Sequence, residues 1–181
     1  MTAMRIPKPS ASSRALYTPE ERRRRDESVW TLVQGILAPF QFLVFLVSLG
    51  LILRFLATGE GLFVAQASIV AKTLTLYAIM VTGSIWEKKV FGRYLFAGPF
   101  FWEDVFSILV LVLHTAYLVA LLTGTLTSGG LMSLALAAYL TYVINAGQFL
   151  WKLRLARLDQ AGRLEAKVTL ADRSSLSGSA S

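Results

Sequence analysis

Long apolar runs broken by short polar connectors dominate the chain. Four of them lie at about 30–53, 63–86, 99–123 and 131–151. Each exceeds the roughly 20 residues that a helix needs to cross a hydrocarbon core. Backbone polar groups in lipid must be hydrogen-bonded within their own segment, so the runs predict α-helices. The connectors span about nine, twelve and seven residues, short enough to make successive helices antiparallel neighbours. The expected fold is an all-α integral membrane protein, an antiparallel bundle of four transmembrane helices occupying 30–152.

The flanks read differently. Thr18-Pro19-Glu20-Glu21 predicts a helix start, with Thr18 as cap, Pro19 in the first turn and Glu21 closing a capping box. That basic juxtamembrane helix, 16–29, is expected to run through Arg22–Arg25 toward Trp30, which suits an interface. A basic cytoplasmic helix is expected over 153–170. Residues 1–15 and 171–181 are Ser-rich, without an apolar run, and read as disordered tails; 1–15 does not read as a secretory signal. No internal repeat is visible.

Composition narrows the class. Of 181 residues, 55% are hydrophobic and 16% charged, and mean hydropathy is +0.57. One small domain cannot bury that much apolar surface in its own core, which excludes an ordinary soluble enzyme. The absence of cysteine excludes disulfides, iron–sulfur clusters and cysteine-ligated zinc. A single histidine, His114, argues against an intrinsic metal centre.

The net charge of +7 fits a membrane topology better than nucleic-acid binding. Arg5, Lys8, Arg14 and Arg22–Arg25 precede the first run. Lys88, Lys89 and Arg93 lie between the second and third, and Lys152, Arg154, Arg157, Arg163, Lys167 and Arg173 follow the fourth. Only Arg54 and the intramembrane Lys72 fall elsewhere. Lys and Arg accumulate on the cytoplasmic side, so both termini are expected there.

Ionisable groups inside a membrane are costly and default to functional candidates. Glu103 and Asp104 open the third run, where carboxylates also favour a helix N-terminus. Adjacent side chains diverge by about 100°, so at least one should face the bundle. A desolvated carboxyl can hold a proton at neutral pH, which suits a general acid. Glu87, at the same depth, is a candidate partner or a solvated interface residue. His114 follows Glu103 by eleven residues, close to whole turns, and shares its face with Ser107 and Val110. It reads as a structural hydrogen-bonder, a proton carrier or a ligand to a metallo-tetrapyrrole. Lys72 lies at similar depth; its stem could instead snorkel toward the periplasmic surface. Gln34 and Gln41 share a face, and Pro39 is a candidate kink. Asn145 and Gln148 read as helix glue or as polar contacts to a buried ligand. Ser133 and Ala137 form a small-xxx-small spacing that suits close packing.

Several stretches together are similar to the 3-vinyl bacteriochlorophyllide hydratases of phototrophic bacteria. They include Leu16-Tyr17-Thr18-Pro19-Glu20, Trp30-Thr31-Leu32-Val33-Gln34-Gly35, Ala38-Pro39-Phe40-Gln41-Phe42 and Ile85-Trp86-Glu87. Val90-Phe91-Gly92-Arg93-Tyr94-Leu95-Phe96-Ala97, Phe100-Phe101-Trp102-Glu103-Asp104, His114-Thr115-Ala116-Tyr117-Leu118 and Tyr142-Val143-Ile144-Asn145 continue it. The resemblance covers roughly 16–155.

The resemblance implies a hydro-lyase of bacteriochlorophyll a synthesis in the bacterial cytoplasmic or intracytoplasmic membrane. Water would add to the C3-vinyl group of chlorophyllide a or a related bacteriochlorophyllide, giving the 3-(1-hydroxyethyl) pigment. No cofactor is expected, because the substrate carries its own magnesium. Glu103 and Asp104, with Glu87 as alternative partner, are the expected catalytic acid and base. His114 is a candidate axial ligand to the pigment's magnesium or hydrogen-bonder to a ring carbonyl, or else the proton donor. Arg93 or Lys152 would meet the pigment's propionate, and Lys72, Asn145 and Gln41 complete the candidate substrate contacts. Expected partners are the magnesium chlorin, membrane lipids, and a second copy or other pigment-synthesis enzymes. A non-catalytic pigment-binding or assembly protein, and a small transporter, are the alternatives.

Overall fold

A computed structural model describes the backbone of residues 16–178 and the side chains of 16–158, 161 and 162. The tail expected at 1–15 and residues 179–181 lie outside the described residues. The described chain is helical: α1 Pro19–Glu27, α2 Val29–Thr58, α3 Leu62–Phe91, a short 3-10 turn Gly98–Phe100, α4 Phe101–Thr123 and α5 Ser128–Gly178. Four segments, Val29–Thr58, Leu62–Phe91, Gly98–Thr123 and Ser128–Leu158, are long and apolar enough to cross a membrane.

The capping box at α1 forms as expected. Thr18 Oγ1 accepts the Glu21 N–H at 3.2 Å, and the Glu21 carboxylate accepts the Thr18 N–H at 2.7 Å. The helix does not run on to Trp30. It stops at Glu27, because Ser28 takes an extended conformation and caps α2 by accepting the Trp30 N–H at 3.3 Å. A local side-chain bond of this kind competes with helix continuation.

The long helices extend beyond the apolar runs, so the connections 59–61 and 124–127 are shorter than expected. Propagating an existing helix through a few polar residues is cheap. Gly59 and Gly61, at φ 74° and 81°, turn the chain in three residues. Pro39 is accommodated inside an unbroken α2. The basic segment after Trp151 continues α5, whose backbone stays helical to Gly178, across the part of the expected tail that is described.

Packing is side-on. Ser48 and Ser68 hydroxyls meet at 2.7 Å between α2 and α3, where Gln34 Nε2 also donates to Thr82 at 2.7 Å. Trp86 Nε1 donates to Thr31 at 2.9 Å. Tyr139 OH donates to Ser48 at 2.6 Å, tying α5 to α2. Phe45, Ile52, Ile69, Val110, Tyr117 and Met132 fill the core, and buried Ala65, Ala135 and Ala138 permit close approach. Ser133 and Ala137, the small pair expected to pack, point outward; Ser133 bonds its own helix at Gly129. Leu32, Phe63, Leu122 and Leu140 are exposed, on the faces that suit lipid.

Candidate active site

A second aromatic cluster seals one end of the core. Tyr17 stacks on Phe91 at 5.7 Å, and Phe100 packs on Trp86 and Phe149. Arg25 lies over the Tyr17 ring at 4.7 Å, which pins α1 to the end of α3. Burial pushes the Tyr17 phenol above its ordinary value, with Arg25 pulling it back.

Under this cluster lie three buried carboxyl groups. Glu87 comes from the end of α3, and Glu103 and Asp104 from the first turn of α4. The loop between folds back over them. Asp104 Oδ2 accepts the Phe96 N–H at 2.6 Å, and Glu87 Oε2 accepts the Ala97 N–H at 3.3 Å. To make its bond Phe96 adopts φ 60°, a conformation that costs a non-glycine residue about 1–3 kcal/mol. Strain of this kind persists where the surroundings over-determine it, here through the Asp104 carboxylate.

Glu87 and Asp104 are brought together under this loop by its successive N–H groups at Ala97 and Phe96. An ionised carboxylate only accepts, so two carboxyls bond only when one carries a proton. Sharing one proton would make the pair a proton donor and a proton acceptor side by side. Glu103 turns away from it: Lys152 Nζ of α5 lies 2.6 Å from Glu103 Oε2 and donates also to the Pro99 carbonyl. The same ammonium sits 4.9 Å from the Phe100 ring centroid.

The candidates are therefore divided. Glu87, Glu103, Asp104 and Lys152 come together. Arg93 is exposed on the neighbouring loop. Asn145 Nδ2 donates to Ser107 at 2.8 Å, one layer deeper; among the described residues its Oδ1 has no partner, nor does Nε2 of buried Gln41. His114 is 0% exposed, stacks on Tyr139 and shares a hydrogen between Nδ1 and the Val110 carbonyl at 2.8 Å. Its Nε2 has no hydrogen-bond partner among the described residues. Lys72 is also 0% exposed and does not snorkel: Nζ lies 3.7 Å from the Tyr142 ring centroid, inside the bundle. Sequence reasoning missed the Phe96 and Ala97 N–H groups and the aromatic seal. The Gly98-Pro99 turn was a signal that the loop folds back, but not of what it touches.

An apolar groove between α2 and α3, lined by Leu43, Val44, Val47, Ser68 and Ala71, opens away from the carboxyls. A cleft between Arg24, Glu27, Trp30 and Lys89 also leaves them untouched.

The family model described as 2-vinyl bacteriochlorophyllide hydratase matches residues 17–155. A 2-vinyl bacteriochlorophyllide hydratase of Cereibacter sphaeroides is 70% identical over 151 residues, 83% of this chain and 94% of the relative. One of Rhodobacter capsulatus is 68% identical over 150 residues, 83% of this chain and 87% of the relative. The number given to the vinyl position differs from that in the resemblance above, but the family is the same. No solved structure matches.

Proposed function

The chain belongs to the 2-vinyl bacteriochlorophyllide hydratase family and is a hydro-lyase of bacteriochlorophyll synthesis; on that premise we propose that Glu87 and Asp104 carry its proton transfers. The substrate in this reading is chlorophyllide a or a related bacteriochlorophyllide, and the product is its 3-(1-hydroxyethyl) derivative. The observation that carries the assignment is that successive backbone N–H groups of the 92–97 loop, at Phe96 and Ala97, hold the two buried carboxyls side by side.

The protonated carboxyl of the pair gives its proton to the terminal vinyl carbon, which becomes a methyl group. The cation left on the inner carbon is adjacent to the macrocycle and delocalises into it. Water attacks that carbon through oxygen and loses a proton to the carboxylate of the pair. One water is added and one carboxyl is again protonated, so the pair is ready for the next turnover. The aromatic seal limits which nucleophiles reach the cation. Glu103 and Lys152 act as positioning residues, because they clamp the first turn of α4 to α5.

No cofactor is invoked; the magnesium is the substrate's own. His114 has no open side for a macrocycle in this packing, so it is read with Lys72, Gln41 and Asn145 as interior polar structure rather than as a magnesium ligand. Arg93, exposed beside the site, is the better counterion for a propionate. The helices are read as an antiparallel bundle with both termini in the cytoplasm of a bacterial cytoplasmic membrane. Charge distribution supports this, as do the contacts, in which residue numbers on α2 rise while those on α3 fall.

The test is incubation of membranes from a host lacking the pigment pathway with chlorophyllide a in oxygen-18 water. Gain of one labelled water by mass spectrometry, lost in Asp104→Asn and in Glu87→Gln, is expected. Full turnover in both variants overturns the assignment.

A further inference from the structure

The strained residue of the 92–97 loop has a second end. While the Phe96 N–H is bonded to Asp104, its ring points outward, 37% exposed. It packs against Phe101 with centroids 5.6 Å apart, and Phe101 packs edge-on against Trp102 at 5.5 Å. Phe101 is 44% and Trp102 66% exposed. The three rings form a contiguous aromatic shelf, with Phe96 and Phe101 inclined at 49° and Phe101 and Trp102 at 86°, and it borders the carboxyl site: Phe101 stands one helical turn before catalytic Asp104, and Trp102 adjoins the positioning residue Glu103. We propose that this aromatic shelf is the docking surface for the macrocycle face of the pigment, and that Phe96 sets the distance between ring and proton donor. This rests on the assignment of Asp104 to the acid–base pair.

Three observations favour a flat conjugated ligand over lipid as the occupant. The rings are contiguous rather than scattered, so that one can stack on a planar ring while its inclined neighbours meet that ring edge-on. The shelf is continuous with the carboxyl site through the Phe96 backbone, so a docked macrocycle would lie beside its proton donor. An anchor in the headgroup layer needs no strained backbone, whereas a residue that must present its N–H inward and its ring outward in one step does. Arg93 on the same connection and Lys88 in the last turn of α3 supply positive charge for an acidic substituent at the edge of the ring. The interior around His114 also holds aromatic rings and Lys72, but it is closed, with both side chains 0% exposed.

The test uses the full chain in lipid nanodiscs with chlorophyllide a. Phe101→Leu and Trp102→Leu keep apolar bulk for lipid but remove the stacking face. For each, KM is expected to rise about tenfold with kcat within roughly threefold of the parent. Phe101→Tyr is expected to restore the parental KM. Quenching of tryptophan fluorescence by added chlorophyllide should weaken in Phe101→Leu in proportion. Phe96→Leu is expected to raise KM and lower kcat together, because it moves the donor as well; if it does not fold, the other two variants carry the test. Unchanged KM in both Phe101→Leu and Trp102→Leu overturns the shelf. Asp104→Asn separates the two ideas. If it turns over normally while the ring variants lose affinity, the acid–base assignment fails and the shelf stands. If it binds pigment without turnover while the ring variants keep their KM, only the shelf fails.

Discussion

Lys152 Nζ lies 2.6 Å from Glu103 Oε2, joining the start of α4 to the part of α5 where the apolar run gives way to basic residues. Glu103 is buried and Lys152 partly so, which makes the pair intolerant of losing one partner. Lys152→Met is expected to destabilise the chain by about 1–3 kcal/mol, by stranding the Glu103 carboxylate. Adding Glu103→Gln to Lys152→Met should return part of that loss, since the stranded charge is gone. Thermal unfolding in detergent of the two single variants and the double would show it; strictly additive effects would mean that the pair is not coupled.

Asp104→Asn and Glu87→Gln keep shape and remove a proton donor or acceptor. Each is expected to lower kcat by about 10²–10⁴-fold, the range for general acid–base groups, with pigment binding retained. Single-turnover measurements with enzyme in excess over pigment would separate the two quantities. A variant that lost binding and kept turnover of bound pigment would contradict the roles given to the pair.

Lys72 places an ammonium in the bundle interior, against the Tyr142 ring and without a hydrogen-bond partner among the described residues. Cation–π attraction offsets only part of the desolvation. Lys72→Met, of similar length, is expected to stabilise the bundle by about 1–3 kcal/mol. Its midpoint in a denaturation series should therefore exceed the parent's. A lower midpoint would show that the ammonium is held by more than the ring.

Ser28 is the joint between α1 and α2. Ser28→Ala removes the acceptor for the Trp30 N–H and is expected to cost about 1 kcal/mol. The loss should register as weaker protection of the 28–31 amides in hydrogen exchange, with the core unaffected. Equal protection would mean that the Thr31 hydroxyl, bonded to the Arg25 carbonyl at 2.6 Å, holds the joint alone.

Tyr17 carries the pH dependence of the α1 contact. Burial raises its folded value above the ordinary 10.0. The neutral phenol is therefore favoured in the packed state. Its contribution is fully present below pH 10.0 and is lost as pH rises through the higher folded value. Tyr17→Phe should flatten the alkaline loss of α1 docking, measured by the fluorescence of neighbouring Trp86; an unchanged slope would assign it to another group.

The helical character of the chain was legible because lipid forces each spanning segment to satisfy its own backbone. Thr18 and Glu21 marked the first helix start because a capping box is local. Glu103, Ser107, Val110 and His114 were readable as one face because a single helix sets their spacing. Which face turns inward was not readable in α2 and α3, since residues facing lipid and residues facing neighbours are equally apolar and leave no amphipathic signal. Lys72, on α3, could be sent to either side for that reason, and on α5 the small pair Ser133 and Ala137 faces outward while Ala135 and Ala138 take the packed face. The partners of the carboxyls were also beyond reach. Glu87 meets Asp104, and Lys152 meets Glu103 across 49 residues, only because separate helices pack at one level and a short loop closes over them. Spacing along one helix is encoded in the order of residues; distance between helices is decided by packing, and the proposed acid–base site lies at that packing.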